Sequence, residues 1–305
     1  LGGSAVHKVS QQIFMKRYKG EIILLLTSII WGGGFIATEF SLGSMTPLQV
    51  MTIRFLIATI ILCSVFFNQL KQISKSTLKK GTLAGFFLFV GFVFQTVGLK
   101  YTTVSNNAFL SAIAVIFVPI IGIFLGRKID RYGIIGTILT VIGIAFLTIN
   151  GSLTSINIGD VLTILGAMFY AIQILLVDMF AKEEDVTVFT IVQITMCFLF
   201  SLITMLIRGD LSFNITFNSG GGVIYLAVFS TAIGLFLQVL GQKSTTETRA
   251  AIIMSTESVF GTIFAIILLN QALTIKVIIG CIIIFIAIII SEVKPFAKKQ
   301  KNKRG

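Results

Sequence analysis

Long stretches of this chain carry no charge at all. Gly81 to Leu99, Tyr101 to Gly126, Val186 to Ile207 and Leu211 to Gln242 each have the length to cross a bilayer, and short polar breaks separate them. A spanning helix needs roughly 20 predominantly apolar residues. Lipid cannot hydrogen-bond the backbone, so such runs must satisfy their N–H and C=O groups internally, as helices. The period-2 alternation of a membrane barrel strand is absent. Hydrophobic residues make up 55% of the chain and charged ones only 12%, with a mean hydropathy of +0.99. A soluble domain cannot cover its surface with so few charges.

The runs predict an all-α membrane protein with ten transmembrane helices, near residues 21–40, 47–68, 81–100, 105–126, 132–149, 160–181, 187–207, 220–241, 249–269 and 274–291. Asn150-Gly-Ser-Leu-Thr-Ser marks a turn between the fifth and sixth. Residues 1–14 read as an N-terminal extension or an appended remnant, because Met15-Lys-Arg-Tyr-Lys leads straight into the first span. No cleavable signal peptide is evident, since the first apolar segment is long and lacks a small-residue cleavage site.

The net charge of +12 raises a nucleic-acid reading, and its placement removes it. With the N-terminus inside, 20 of the 24 Lys and Arg fall on the cytoplasmic side, including Arg127, Lys128, Lys182, Arg249 and six from Lys294 to Arg304. Lys100, Arg208 and Lys276 fall outside, and Arg54 lies within a span. That is the positive-inside bias of a multi-pass protein with both termini cytoplasmic. The basic tail, residues 294–305, then anchors the topology beside anionic lipid. The partners expected are the lipid bilayer and a small-molecule substrate, not nucleic acid, with the chain a monomer or homodimer.

The chain also repeats itself. Gly91, Gln95, Gly98 and Lys100 recur 143 residues later as Gly234, Gln238, Gly241 and Lys243. Gly20-Glu21, Trp31-Gly32, Glu39 and Arg54 align at an offset of 139 with Gly159-Asp160, Tyr170-Ala171, Asp178 and Gln193. Ile134-Ile-Gly136 matches Ile278-Ile-Gly280. The period is too long for a solenoid. Residues 15–150 therefore form one half and 151–293 a second. Five spans per half give the halves opposite orientations, as two inverted five-helix repeats, a plan common among secondary transporters.

Cys63, Cys197 and Cys281 all fall in spans, and their spacing fits neither a metal site nor a disulfide framework; the sole histidine, His7, is in the tail. No metal, no cofactor and no catalytic residue are expected. An intramembrane enzyme would need clustered machinery that is missing, and no Walker loop offers ATP drive. A channel or receptor is the other alternative.

The chain resembles the EamA-type proteins of the drug/metabolite transporter superfamily. The resemblance runs from about Met15 to Val293. It is carried by Ile30-Trp31-Gly32-Gly33-Gly34-Phe35, by Thr52-Ile53-Arg54-Phe55, and by Gly98-Leu-Lys-Tyr-Thr-Thr-Val-Ser-Asn-Asn-Ala-Phe-Leu leading to Phe117-Val118-Pro119. It implies alternating-access export of amino acids, metabolites or toxic compounds across a bacterial-type cytoplasmic membrane. The chain departs from the family at Glu257-Ser258, where Glu-Pro is usual, and at Gly126-Arg127 and Asn270-Gln271, where Gly-Glu is usual.

Polar groups inside the spans are the candidate site. Glu257 lies eight residues past Arg249, roughly 12 Å deeper at 1.5 Å per residue. A carboxylate at that depth is costly and faces a cavity or a partner. It is either a structural tie or the proton-coupling candidate. Arg54 either pairs with Glu39 at the end of span 1 or turns its fork on an anion in the cavity. The run containing Gly33 admits close approach of a helix or of substrate, and Trp31 and Tyr170 are candidate aromatic walls. Gln95, Gln173 and Gln238 need partners in an apolar setting, from other helices or from substrate. Asn107 and Ser111 share a helix face as a vestibule stripe, while Ser105 and Asn106 are equally suited to capping. Pro119 bends span 4 as a static kink or as the gating candidate.

Overall fold

The computed structural model describes residues 18–148, 157–269 and 274–293. The N-terminal extension, the turn from Asn150, Asn270-Gln271 and the basic tail lie outside the described residues. The first half holds α1 (Lys19–Leu42), α2 (Pro47–Val65), a 3-10 turn (Phe67–Gln72), α3 (Lys75–Leu99), α4 (Val104–Ala112), α5 (Ala114–Phe124) and α6 (Arg131–Thr148). The second holds α7 (Ile158–Phe180), α8 (Val186–Arg208), α9 (Phe217–Tyr225), a π-helical segment (Leu226–Ile233), α10 (Gly234–Gln242), α11 (Glu247–Met254), α12 (Glu257–Leu269) and α13 (Ile275–Val293). Counting α4–α5, α9–α10 and α11–α12 as single rods, eight helices are long and apolar enough to cross a membrane. The apolar parts of α6 and α13 are shorter, at Arg131–Phe146 and Ile278–Ser291.

Helix starts follow local capping chemistry more closely than the apolar runs do. α3 begins six residues before its uncharged run, because Ser74 Oγ accepts from the Thr77 N–H (3.0 Å) and carries the lysines into the helix. α4 is capped by Thr103, whose Oγ1 accepts from the Asn106 N–H (3.1 Å), and not by Ser105 or Asn106. The caps themselves are duplicated. Tyr18 and Asn157, Thr46 and Asp185, and Thr103 and Thr246 occupy matching N-caps at the offsets seen in the sequence.

The packing between halves is reciprocal. α3 lies on α7 as α9–α10 lies on α1; α4–α5 lies on α7 as α11–α12 lies on α1. α2 pairs with its own counterpart α8, and α6 with its counterpart α13. Such exchange is the mark of a two-fold relation. The duplicated glycines sit at the crossings. A Cβ on Gly159 would lie 2.6 Å from the Gly98 carbonyl oxygen, and one on Gly20 would lie 2.8 Å from that of Gly241. The same pair of repeat positions thus meets twice, each time across the halves, backbone against backbone.

One core cluster joins Leu24 of α1, Val118 of α5, Leu175 of α7 and Ile252 of α11. Outward, large apolar side chains such as Ile60, Ile138, Ile203 and Ile282 are exposed, as a lipid-facing surface requires.

Candidate functional site

Two rods are broken, at matching places. α4 gives way to α5 at Ile113, and α11 gives way to α12 at Ser255-Thr256. In the first, the Ile113 N–H reaches only to the Leu110 oxygen (3.3 Å) and the Ile116 N–H to Ile113 (2.8 Å), three-residue spacing in place of four. Pro119, buried within α5, lies six residues beyond that break. In the second there is no proline. Ser255, Thr256 and Ser258 donate their hydroxyls to carbonyls three residues back (2.6 to 2.7 Å), competing with the backbone ladder. Ser28 of α1 donates to the Ile253 oxygen (3.1 Å), a carbonyl beside the break. Glu257 is the first residue after the break, and its counterpart in the first half is Ala114.

Between the breaks lies a cavity lined by α1–α5, α7, the π segment, α10, α11 and the start of α12. Trp31, Arg54, Gln95, Asn107, Ser111, Tyr170, Gln173, Gln238 and Glu257 all line it. Gly33 does not. A Cβ there would meet the Tyr225 hydroxyl at 2.5 Å, so Gly33 is a packing notch, and Gly34 takes the place on the cavity wall.

Arg54 is 4% exposed and makes no pair with Glu39, which is exposed on the outer surface of α1. The direction of the side chain decides this: Arg54 points inward. Its Nε donates to Thr231 Oγ1 (2.9 Å), and its guanidinium lies 4.4 Å from the Phe92 ring centroid and 5.3 Å from that of Phe55. Desolvated cation–π contact contributes about 2 kcal/mol. Among the described residues no carboxylate pairs with Arg54, and its two terminal nitrogens have no protein acceptor. Four N–H donors are thereby left for the cavity.

The rest of the polar lining is a neutral network, which begins beside Arg54 at Tyr170, whose ring centroid lies 5.3 Å from that of Phe92. Tyr170 donates to Gln95 Oε1 (2.7 Å), and Gln95 Nε2 donates to Ser111 Oγ (2.8 Å). Asn107 Nδ2 donates to Thr163 Oγ1 (2.8 Å) and to the Gln95 carbonyl (3.0 Å), while its Oδ1 is buried without a partner. Gln238 donates to Gln173 Oε1 (3.1 Å), and Gln173 Nε2 lies 3.3 Å from Gln193 Oε1. Trp31 Nε1 donates to the Ser230 carbonyl (2.9 Å), which sits in the π segment where the ordinary ladder is interrupted. Glu257 has no hydrogen-bond or ion-pair partner among the described residues. No cluster of His, Cys, Asp and Glu among them could hold a metal.

A model of the EamA-like transporter family matches the chain twice, over residues 18–149 and 157–292. The chain belongs to this family. An uncharacterized transporter of Archaeoglobus fulgidus is 30% identical over 92% of the chain and 88% of the relative. One of Clostridium kluyveri is 25% identical over 90% of the chain and 93% of the relative. A protein of known crystal structure superposes with a TM-score of 0.74 at 16% identity, over 91% of this chain and 99% of its own, a likeness of fold. With its apolar helices, the EamA-family chain is a multi-pass membrane transporter.

Sequence reasoning missed Thr231, Ser230 and Thr163 in this transporter, and it named Gln193 only as the counterpart of Arg54. Thr231 and Ser230 sit in an apolar run where hydroxyls ordinarily bond their own helix, and nothing in the sequence announces a π segment. The signal for the second break was there: Ser255, Thr256 and Ser258 crowd three hydroxyls into four residues.

Proposed function

We propose that the EamA-family chain is a secondary transporter that exports small organic molecules bearing an acidic group across the cytoplasmic membrane by alternating access. Arg54 carries this reading. A buried guanidinium with an aromatic face behind it and two unpaired nitrogens ahead of it matches a carboxylate's two oxygens. The amide network supplies neutral donors and acceptors for the rest of the molecule, and Trp31, Phe92 and Tyr170 supply apolar wall. Amino acids, acidic metabolites and toxic organic acids are the substrate classes to screen, and export comes from the family resemblance.

In this reading all ten helical rods span, with both termini cytoplasmic. Five spans per half then make the reciprocal packing an inverted repeat, with its axis in the membrane plane. The broken rods of the two halves form the moving walls of one cavity. Glu257, on the wall of the same cavity and unpaired among the described residues, takes up and releases the coupling proton.

Purified protein in proteoliposomes, loaded with candidate compounds, tests the proposal. Saturable uptake stimulated by substrate on the opposite side is expected for carboxylated compounds, with their amides bound and carried more weakly. Flux that never saturates and shows no counterflow would mark a channel and end the carrier reading. Chemical turnover of the compound would mark an enzyme.

A further inference from the structure

A second, open pocket lies at the end of the bundle that gathers most of the chain's cations. Arg127, Lys128, Lys182 and Arg249 line it, against the carboxylates of Asp130 and Glu247. Both carboxylates already have work. Asp130 accepts from the Tyr132 and Gly133 N–H groups at the start of α6 (2.8 and 3.1 Å). Glu247 lies 3.3 Å from Arg127 Nη1, which also holds the buried Asp178 (2.8 Å). Lys128 is exposed and in no ion pair among the described residues. The N-terminus of α11 opens on the same cavity: Thr246, Glu247 and Thr248 line it, and no side chain caps that helix. Uncapped first-turn N–H groups beside lysines and arginines favour an anion.

The segment that leads into the cavity says which anion. Ile123, Phe124 and Leu125 end α5 with 59%, 85% and 58% of their surface exposed. Gly126, with φ of 76°, then turns the chain sharply so that Arg127 and Lys128 enter the cavity. An apolar ramp running directly into a basic pocket has the polarity profile of one phospholipid, acyl chain then phosphate. Ser291 of α13 lines the pocket too. Basic pockets between membrane helices bind anionic headgroups.

We propose that this pocket binds the phosphate headgroup of an anionic phospholipid, with an acyl chain along Ile123, Phe124 and Leu125. The lipid joins the halves, since Arg127 and Lys128 belong to the first and Lys182 and Arg249 to the second. The site is separate from the transport cavity and takes a different ligand.

The test is thermal unfolding of the purified full chain in neutral detergent, titrated with phosphatidylglycerol, phosphatidylcholine or inorganic phosphate. A ligand of the folded state raises the midpoint in a saturable way. Phosphatidylglycerol is expected to do so and phosphatidylcholine is not. The Lys128→Gln/Arg249→Gln variant should need about tenfold more phosphatidylglycerol for half its effect, and Lys100→Gln, at the other end, should respond like wild type. Lys128 is exposed, so Lys128→Gln alone keeps the fold and gives the same comparison should the double variant be unstable. An unchanged titration in both variants overturns the site. Inorganic phosphate matching the full effect of the lipid overturns the lipid as its occupant.

Discussion

An arginine inside a spanning helix must justify its desolvation, and in most proteins a carboxylate does so. Arg54 has a threonine and two aromatic rings instead. Lysine at this position would keep the charge and lose the fork. Arg54→Lys is therefore expected to weaken binding of a carboxylated substrate about tenfold or more, given roughly 1.5–3 kcal/mol for a hydrogen bond to a charged group, while the amide analogue is unaffected. Ligand-dependent thermal shifts of the two compounds check this; equal losses for acid and amide would remove the carboxylate role. Glu257 has the opposite sign and the same isolation. Glu257→Gln keeps shape and polarity and removes the proton site, so pH-gradient-driven uptake should vanish while substrate counterflow persists. Undiminished gradient-driven uptake removes the coupling role. These residues were legible because a polar group in an uncharged apolar run is costly wherever it occurs. Their partners were not: Glu39 ends span 1 on the side from which Arg54 lies about two turns in, and it took the facing of each helix to show that the two do not meet. Gly33 and Gly34 likewise differ by 100° of helix rotation, which composition does not report.

At the level of helices, glycine spacing and hydroxyl crowding set the geometry. The duplicated glycines were visible as a pattern, but their meeting across the halves was not, since Gly98 faces Gly159 and Gly241 faces Gly20, pairs 61 and 221 residues apart. Small residues allow the close backbone approach on which membrane helix packing depends. A methyl group on Gly159 has carbonyl and peptide atoms at 2.6 to 2.9 Å on the facing strand of backbone, with no flexible side chain to yield. Gly159→Ala should destabilise the folded state by about 1–3 kcal/mol, read as a lower midpoint in detergent. Gly221→Ala, with nothing within 4 Å of its added carbon, serves as the reference and should be close to neutral. Equal midpoints for the two variants would mean that the α3–α7 crossing opens at little cost. The breaks were half legible. Pro119 drew attention to the right rod, yet the hydroxyl trio at 255–258 produces the matching break without proline, so the repeated feature is the interruption and not the residue that causes it.

Across the whole molecule the two ends are fastened differently. At the basic end, charges of the first half grip acids of the second: Arg127 holds Asp178 and Glu247, and Lys80 holds Glu183 and Glu184 (both 2.7 Å). At the other end the joins are neutral or singly charged hydrogen bonds, such as Gln49 Nε2 to the Ser212 carbonyl (2.9 Å) and Thr102 to Asp160 (2.6 Å). The clustering of basic residues was plain in the sequence; that their acids come from the opposite half required the fold. The ionic end should accordingly respond to acid. Glu184, in the α7–α8 loop, is held down from 4.5 to about 2, first by the Lys80 ammonium and then by the hydroxyl of Thr77. A carboxylate lowered in the folded state contributes its full stability above the unfolded value and loses it as pH falls through the folded one. For Glu184 that window runs from 4.5 down to about 2. Wild type should therefore unfold at a higher temperature than Glu184→Gln at neutral pH, by a margin that stays flat down to that window and shrinks inside it. Lys80→Gln should show the same flattening, because it removes the largest cause. Other carboxylates titrate in this range in both proteins, so the difference between them, not either curve alone, isolates the clasp. A margin that does not change with pH would show that Glu184 stabilises the loop through shape and not through its charge.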